Sequence, residues 1–279
     1  GLDALWVSSP ANRFYLSGFE LHDPQLNESS GRLLIRAKGR DFLFTDPRYQ
    51  SEAESLWPKE EVFIYRGPGL TDAVDFMEAM GVGKVGFEPD CLTYRDYIAL
   101  SESLDMEPVF GLVEGLRLYK DEAEMESMRK SAALNHRLFE AVPDFLEPGK
   151  TEKQLAWDIE KFFRENGASE LAFSVIAAVD GNAALPHANP SERVIKENCC
   201  VLVDTGCRFD NYCSDQTRTF WVGESPSDEF KRTYDQVEKA QRMAMEAMHP
   251  GMTFAEAYKV SADYFESQGV REYFIHSLG

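Results

Sequence analysis

Residues 201–220 read VLVDTGCRFDNYCSDQTRTF, and this stretch decides the fold of the second half of the chain. Two β-prone runs, 201–208 and 212–220, flank Asp210-Asn211, a pair suited to a two-residue hairpin turn. With that turn Phe209 faces Tyr212, Gly206 faces Asp215, and Asp204 faces Thr217. Side chains two apart on a strand share a face, so Asp204, Gly206, Asp215 and Thr217 are expected to project together. The two carboxylates then become diagonal neighbours, roughly 7–8 Å apart at the backbone. Gly206 leaves room between them. An odd-length loop without a bulge would put them on opposite faces.

Like charges this close repel, and three arrangements are compatible with that. Two surface acids could share an exposed sheet face, although the flanks VLV and TFWV are apolar. A pair holding one proton could serve acid–base chemistry. A metal site is favoured, because a cation holds two carboxylates together. Oxygen ligands on adjacent strands suit two divalent ions about 3.5–4 Å apart. Two Asp cannot hold two ions alone, so further His or Glu ligands are required.

The chain has five histidines. His22, His136 and His249 fall in a loop, a helix flank and a helix end. His187, in ALPHANP, sits in a proline-bounded loop just before the hairpin, where it suits a proton donor or oxyanion partner. His276, in FIHSLG, follows an aromatic run.

Lys+Arg 29 against Asp+Glu 48 gives a net charge of −19, spread along the chain. That balance argues against nucleic-acid partners, which need basic stripes, and against anionic membrane surfaces. No apolar run approaches the ~20 residues that span a bilayer. The opening GLDALWVSSPANRFYL lacks the basic start and apolar core of a signal peptide, and there is no initiator Met, so the natural N-terminus is expected to precede Gly1. The five cysteines have no framework spacing and no CxxC pair, which fits reduced thiols in a cytoplasmic protein.

The 279 residues are divided into 1–115 and 116–279. The first part carries strand-like segments at 2–9, 32–37, 41–45 and 61–65, with helical character at 47–57 and 71–81, and reads as an α/β domain. In the second, DEAEMESMRKSAALNHRLFEAV is helix-periodic. Thr151 and Gln154 form a capping box, with Gly167 as a stop, and Thr253, Glu256 and Gly269 repeat these roles. Setting 147–170 over 249–272 gives six identities in twenty-four positions: Pro148/Pro250, Gly149/Gly251, Thr151/Thr253, Phe163/Phe265, Gly167/Gly269 and Glu170/Glu272. Shared cap rules or an internal duplication would each account for this. A duplication would put the counterpart of Asp204 near position 306, beyond Gly279.

Together these segments resemble the pita-bread metallopeptidases, in their Xaa-Pro dipeptidase and Xaa-Pro aminopeptidase branch. The resemblance is carried by GLDALWVSSPANRFYLSGF, RLYKDEAEMESMRKSAALN, EPGKTEKQLAWDIEKFFRENGA, FSVIAAVDGNAALPHANP and, most specifically, the hairpin itself. It implies an N-terminal creatinase/prolidase-type α/β domain followed by a pita-bread catalytic domain. It further implies that Asp204 and Asp215 are ligands of two divalent ions, Mn²⁺ favoured over Co²⁺ or Zn²⁺, with Thr217 hydrogen-bonded beside them. His187 would stabilise the tetrahedral intermediate or hold the substrate. Phe173 and Ile176 would line the pocket for the residue before proline, and His276 its proline side. The implied activity is metal-assisted hydrolysis of proline-containing peptides by a homodimer.

The remaining ligands implied by the resemblance, a His and two Glu, would follow Gly279. The chain is therefore expected to be an inactive fragment that holds metal weakly. Two rival expectations are a non-catalytic homologue that binds peptides or proteins, and a metal-independent creatinase-like C–N hydrolase. The hairpin disfavours the second, and the additional N-terminal domain disfavours methionine aminopeptidase.

Overall fold

The computed structural model describes residues 1–21, 30–67 and 69–278; His22 and Gly279 lie outside them. The chain forms two compact units, Gly1–Lys120 and Asp121–Gly279.

The first unit contains β1 (Ala4–Val7), α1 (Pro10–Ser17), β2 (Arg32–Arg36), β3 (Phe42–Thr45), α2 (Gln50–Leu56), β4 (Val62–Ile64), α3 (Thr71–Ala79), β5 (Lys84–Phe87), α4 (Tyr94–Ser101), β6 (Asp105–Pro108) and α5 (Leu112–Leu118). The strands form one mixed sheet in the order β4-β3-β2-β1-β5-β6. Both faces are covered, which is why these strands read as nearly continuous apolar runs. Trp6 and Phe44 meet edge to face at 5.0 Å on one side, while Leu5, Val7 and Leu33 pack on the other. The first strand ends sooner than the expected 2–9. Pro10 opens α1 and the hydroxyl of Ser9 accepts from the Asn12 N–H at 3.4 Å, so the chain turns into a helix there.

The second unit contains α6 (Glu122–Phe145), α7 (Glu152–Glu165), β7 (Glu170–Leu171), β8 (Ile176–Val179), β9 (Cys199–Thr205), β10 (Cys207–Phe209), β11 (Tyr212–Cys213), β12 (Gln216–Val222), α8 (Asp228–Ala247) and α9 (Phe254–Ser267). Capping boxes start α6, α7 and α9, from Asp121–Glu124, Thr151–Gln154 and Thr253–Glu256. Leu134, Leu138 and Val142 on α6, and Leu155, Ile159 and Phe163 on α7, recur every fourth residue and face one core. Burying a side chain such as Phe163 stabilises by roughly 1.5–3 kcal/mol.

That core lies against one face of the antiparallel sheet β12-β9-β8. Along β9 the buried residues alternate: Cys199, Val201, Val203 and Thr205 are buried, whereas Cys200, Leu202 and Asp204 are half-buried on the opposite face. All five cysteines are free, with Cys199 and Cys207 buried. Among the described residues no helix is long and apolar enough to cross a membrane.

The hairpin has the expected register: Phe209 pairs with Tyr212 and Thr217 with Asp204. Asp210 and Asn211 have φ of 47° and 67°, the left-handed pair that a type I′ turn requires. The two arms are not continuous strands, however. They break at Gly206 and at Ser214-Asp215, so β9 and β12 belong to one sheet and β10 and β11 to another with β7. A β-branched residue at Asn211 could not hold this φ without strain. Asn211→Val is expected to cost about 1–2 kcal/mol in a denaturant melt.

Candidate metal centre

The break at Gly206 is built from the side opposite the carboxylates. On α6, Ser131 and Asn135 stand four residues apart and are both buried. The Ser131 hydroxyl donates to the Cys207 carbonyl at 3.0 Å, and the Asn135 amide donates to the Thr205 carbonyl at 3.1 Å. These are the two carbonyls flanking Gly206, so one helix face satisfies the backbone where the ladder lapses. Across the hairpin, the Ser214 N–H donates to the Cys207 carbonyl at 2.9 Å, and the Ser214 hydroxyl accepts from the Cys207 N–H at 3.2 Å. A Cβ on Gly206 would lie 1.7 Å from the Ser214 carbonyl oxygen. Only glycine lets the arms approach this closely.

The bend leaves Asp215 outside the ladder and turns its carboxyl toward Asp204. Partial desolvation of its carboxyl first, then the Asp204 charge and a hydrogen bond between the two carboxyls, hold Asp215 above its ordinary value. The Thr217 hydroxyl, directly across from Asp204, donates to Asp204 Oδ1 at 2.7 Å and orients that carboxylate. On the other side Ile176 pairs with Asp204, so Ile176, Asp204 and Thr217 form a row across three strands. Asp215 and Thr217 are exposed, which leaves the pair open to an incoming ion or substrate.

The donor set fits a divalent cation. Two hard carboxylates converge, and one is fixed by a hydroxyl donor. Among the described residues no cluster of three or more His, Cys, Asp or Glu is present.

The other expected site residues are placed as follows. His187 is exposed, and its ring has no hydrogen-bond partner among the described residues. Its neighbour Ala188 is buried and packs with Ile176 and Ala178, which seats the loop on the Asp204 face of the sheet. Phe173 is half-buried just before β8. His276 is exposed, with Nδ1 2.6 Å from the Ser277 carbonyl and its ring edge-on to Phe274 at 5.1 Å. No hydrogen bond links Phe173, His187 or His276 to the two carboxylates among the described residues. Ser131 and Asn135 were not expected. Their signal, small polar residues four apart within an otherwise core-facing helix, is present in RKSAALNH.

Three kinds of similarity accompany this geometry. Residues 126–279 match the model for metallopeptidase family M24, and residues 1–119 match the creatinase/prolidase N-terminal domain. An uncharacterized peptidase of Bacillus subtilis is 32% identical over 282 residues, covering 100% of this chain and 77% of the relative. The solved structure of a Xaa-Pro dipeptidase from Bacillus anthracis superposes with a TM-score of 0.89 at 34% identity, over 99% of this chain and 76% of that one. A prolidase from Pyrococcus furiosus gives 0.86 at 26% identity, over 99% and 79%. The second unit is thus a pita-bread domain preceded by a creatinase/prolidase-type domain, and the chain belongs to metallopeptidase family M24.

Proposed function

We propose that this protein is a metal-dependent exopeptidase that hydrolyses the bond before proline, with its catalytic part in residues 116–279. The convergence of Asp204 and Asp215 beside Thr217 is the observation that carries the assignment. The similarity to a Xaa-Pro dipeptidase and a prolidase supports the choice of substrate class.

In this scheme Asp204 and Asp215 would supply two of the ligands of a pair of divalent ions, Mn²⁺ being preferred, alongside further His or Glu ligands. When bound, such ions supply Lewis-acid polarisation and lower the pKa of a water to near neutral. The Thr217 hydroxyl occupies one lone pair of Asp204 Oδ1 and so fixes where the remaining lone pairs point. His187 donates to the oxygen that becomes negative as the carbonyl is attacked. The bond before proline has no N–H, so selectivity rests on shape. Ile176, beside Asp204, and Phe173 form the wall for the preceding residue, and His276 the wall for proline.

The purified gene product, supplied with Mn²⁺, should release proline from Ala-Pro or cleave Ala-Pro-Ala before proline, and leave Ala-Ala and Ala-Ala-Ala intact. Equal cleavage of both sets would remove the proline preference; no cleavage of either would remove the peptidase assignment. Thr217→Val keeps the shape but loses the donor. Divalent-ion affinity measured by calorimetry is expected to fall about 10–100-fold, and an unchanged affinity would remove Thr217 from the site.

A further inference from the structure

Glu152 is the first residue of α7, yet it is fully buried. Acidic residues in a helix's first turn normally remain in solvent and interact with the helix dipole. Here the carboxylate instead accepts four hydrogen bonds from a segment 27–39 residues later. Oε1 accepts from the Val179 N–H at 2.7 Å, at the end of β8. Oε2 accepts from the Asn182 amide at 2.9 Å, and from the Ser191 N–H at 2.9 Å and hydroxyl at 2.5 Å. Every partner is a donor, so only an acceptor-only group satisfies the set. Burial alone would push this carboxyl up, but the bonds from Ser191, Val179 and Asn182 outweigh it and hold it below its ordinary value.

These bonds tie the two ends of one loop to the same side chain. The far end is reinforced by backbone pairing, Glu152 N–H to Arg193 C=O at 3.0 Å and Lys153 N–H to Ser191 C=O at 3.2 Å. At the near end, Asp180 Oδ1 accepts from the Cys200 N–H at 3.0 Å, tying the loop to β9. Between the anchors stands His187, whose exposed ring has no hydrogen-bond partner among the described residues. Its position is set through the backbone of the loop, by the Glu152 ties and the seat of Ala188 on Ile176 and Ala178.

We propose that Glu152 is the positioning residue of the His187 loop, one buried side chain that ties both ends of residues 179–191 and so holds His187 on the Asp204 face of the sheet. The catalytic consequence rests on the peptidase assignment above; the structural one does not. Two measurements on the gene product separate them.

The first is amide hydrogen exchange across residues 183–190, which needs no activity. Glu152→Gln turns an amide toward donors, and the loop should exchange at least about tenfold faster. Asn182→Ala removes one donor with little risk to folding, and should shift exchange in the same direction by less. Unchanged exchange in a folded Glu152→Gln, or in Asn182→Ala if the former does not fold, overturns the proposal.

The second is kinetics on a Xaa-Pro peptide. Glu152→Gln should lower kcat by up to about 100-fold, as expected when a catalytic group is misplaced, with little change in KM, and the loss should largely vanish in a His187→Ala background. An equal loss in that background overturns the positioning role. If the wild type cleaves no such peptide, the peptidase assignment fails while hydrogen exchange still decides whether Glu152 holds the loop.

Discussion

Gly206→Ala is expected to be among the most damaging single substitutions in the second unit. The added Cβ would sit 1.7 Å from the Ser214 carbonyl oxygen and 2.6 Å from its carbon. Both are backbone atoms, held by the Ser214–Cys207 bonds on one side and the Ser131 and Asn135 bonds on the other. No rotamer change relieves the clash; the arms must separate. Overpacking of this kind costs about 3 kcal/mol or more. Separation would also pull Asp215 away from Asp204. Gly206→Ala should therefore lower the denaturant midpoint and abolish divalent-ion binding together. A folded variant with wild-type stability would show that the arms do not approach as described.

The second large effect is expected at Asp215, with opposite signs for stability and binding. In metal-free protein, desolvation first and then the opposing Asp204 carboxylate hold Asp215 above its ordinary value. A group whose folded pKa is raised contributes stability while protonated and loses it as pH rises through the folded value. Metal-free protein should therefore lose a little stability as pH rises above the ordinary Asp value of 3.8, the effect being kept small because Asp215 is exposed and solvent screens the pair. Asp215→Asn removes the charge and keeps the shape. Its thermal midpoint without metal should match or exceed that of the wild type at neutral pH, and its pH dependence in this range should flatten. Divalent-ion affinity should fall more than about 100-fold, because a charged ligand is gone. A midpoint that falls sharply while affinity is unchanged would identify Asp215 as a structural group.

Much of this site is legible in VLVDTGCRFDNYCSDQTRTF because the signals are local. Asp210-Asn211 sets the turn, and the two-residue period then puts Asp204 opposite Thr217. The caps at Thr151 and Thr253 are equally local. What is not legible depends on distant partners. The break at Gly206 relies on Ser131 and Asn135, 70 or more residues earlier, so the pattern alone suggests two unbroken strands. Glu152 is hidden by its context: next to a capping Thr it reads as an ordinary first-turn acid, and only the folded loop supplies its donors. In the first unit β5, α4 and β6 are each only four to eight residues long, and their amphipathic signal is correspondingly short.

We propose that Asp204 and Asp215 converge to hold divalent metal. The most direct test is a Mn²⁺ titration of metal-free gene product followed by electron paramagnetic resonance, comparing the wild type with Asp204→Asn/Asp215→Asn. The wild type should remove the free-ion signal in stoichiometric steps, and the double variant should leave it unchanged over the same range. Equal Mn²⁺ uptake by both proteins would show that these two carboxylates are not metal ligands.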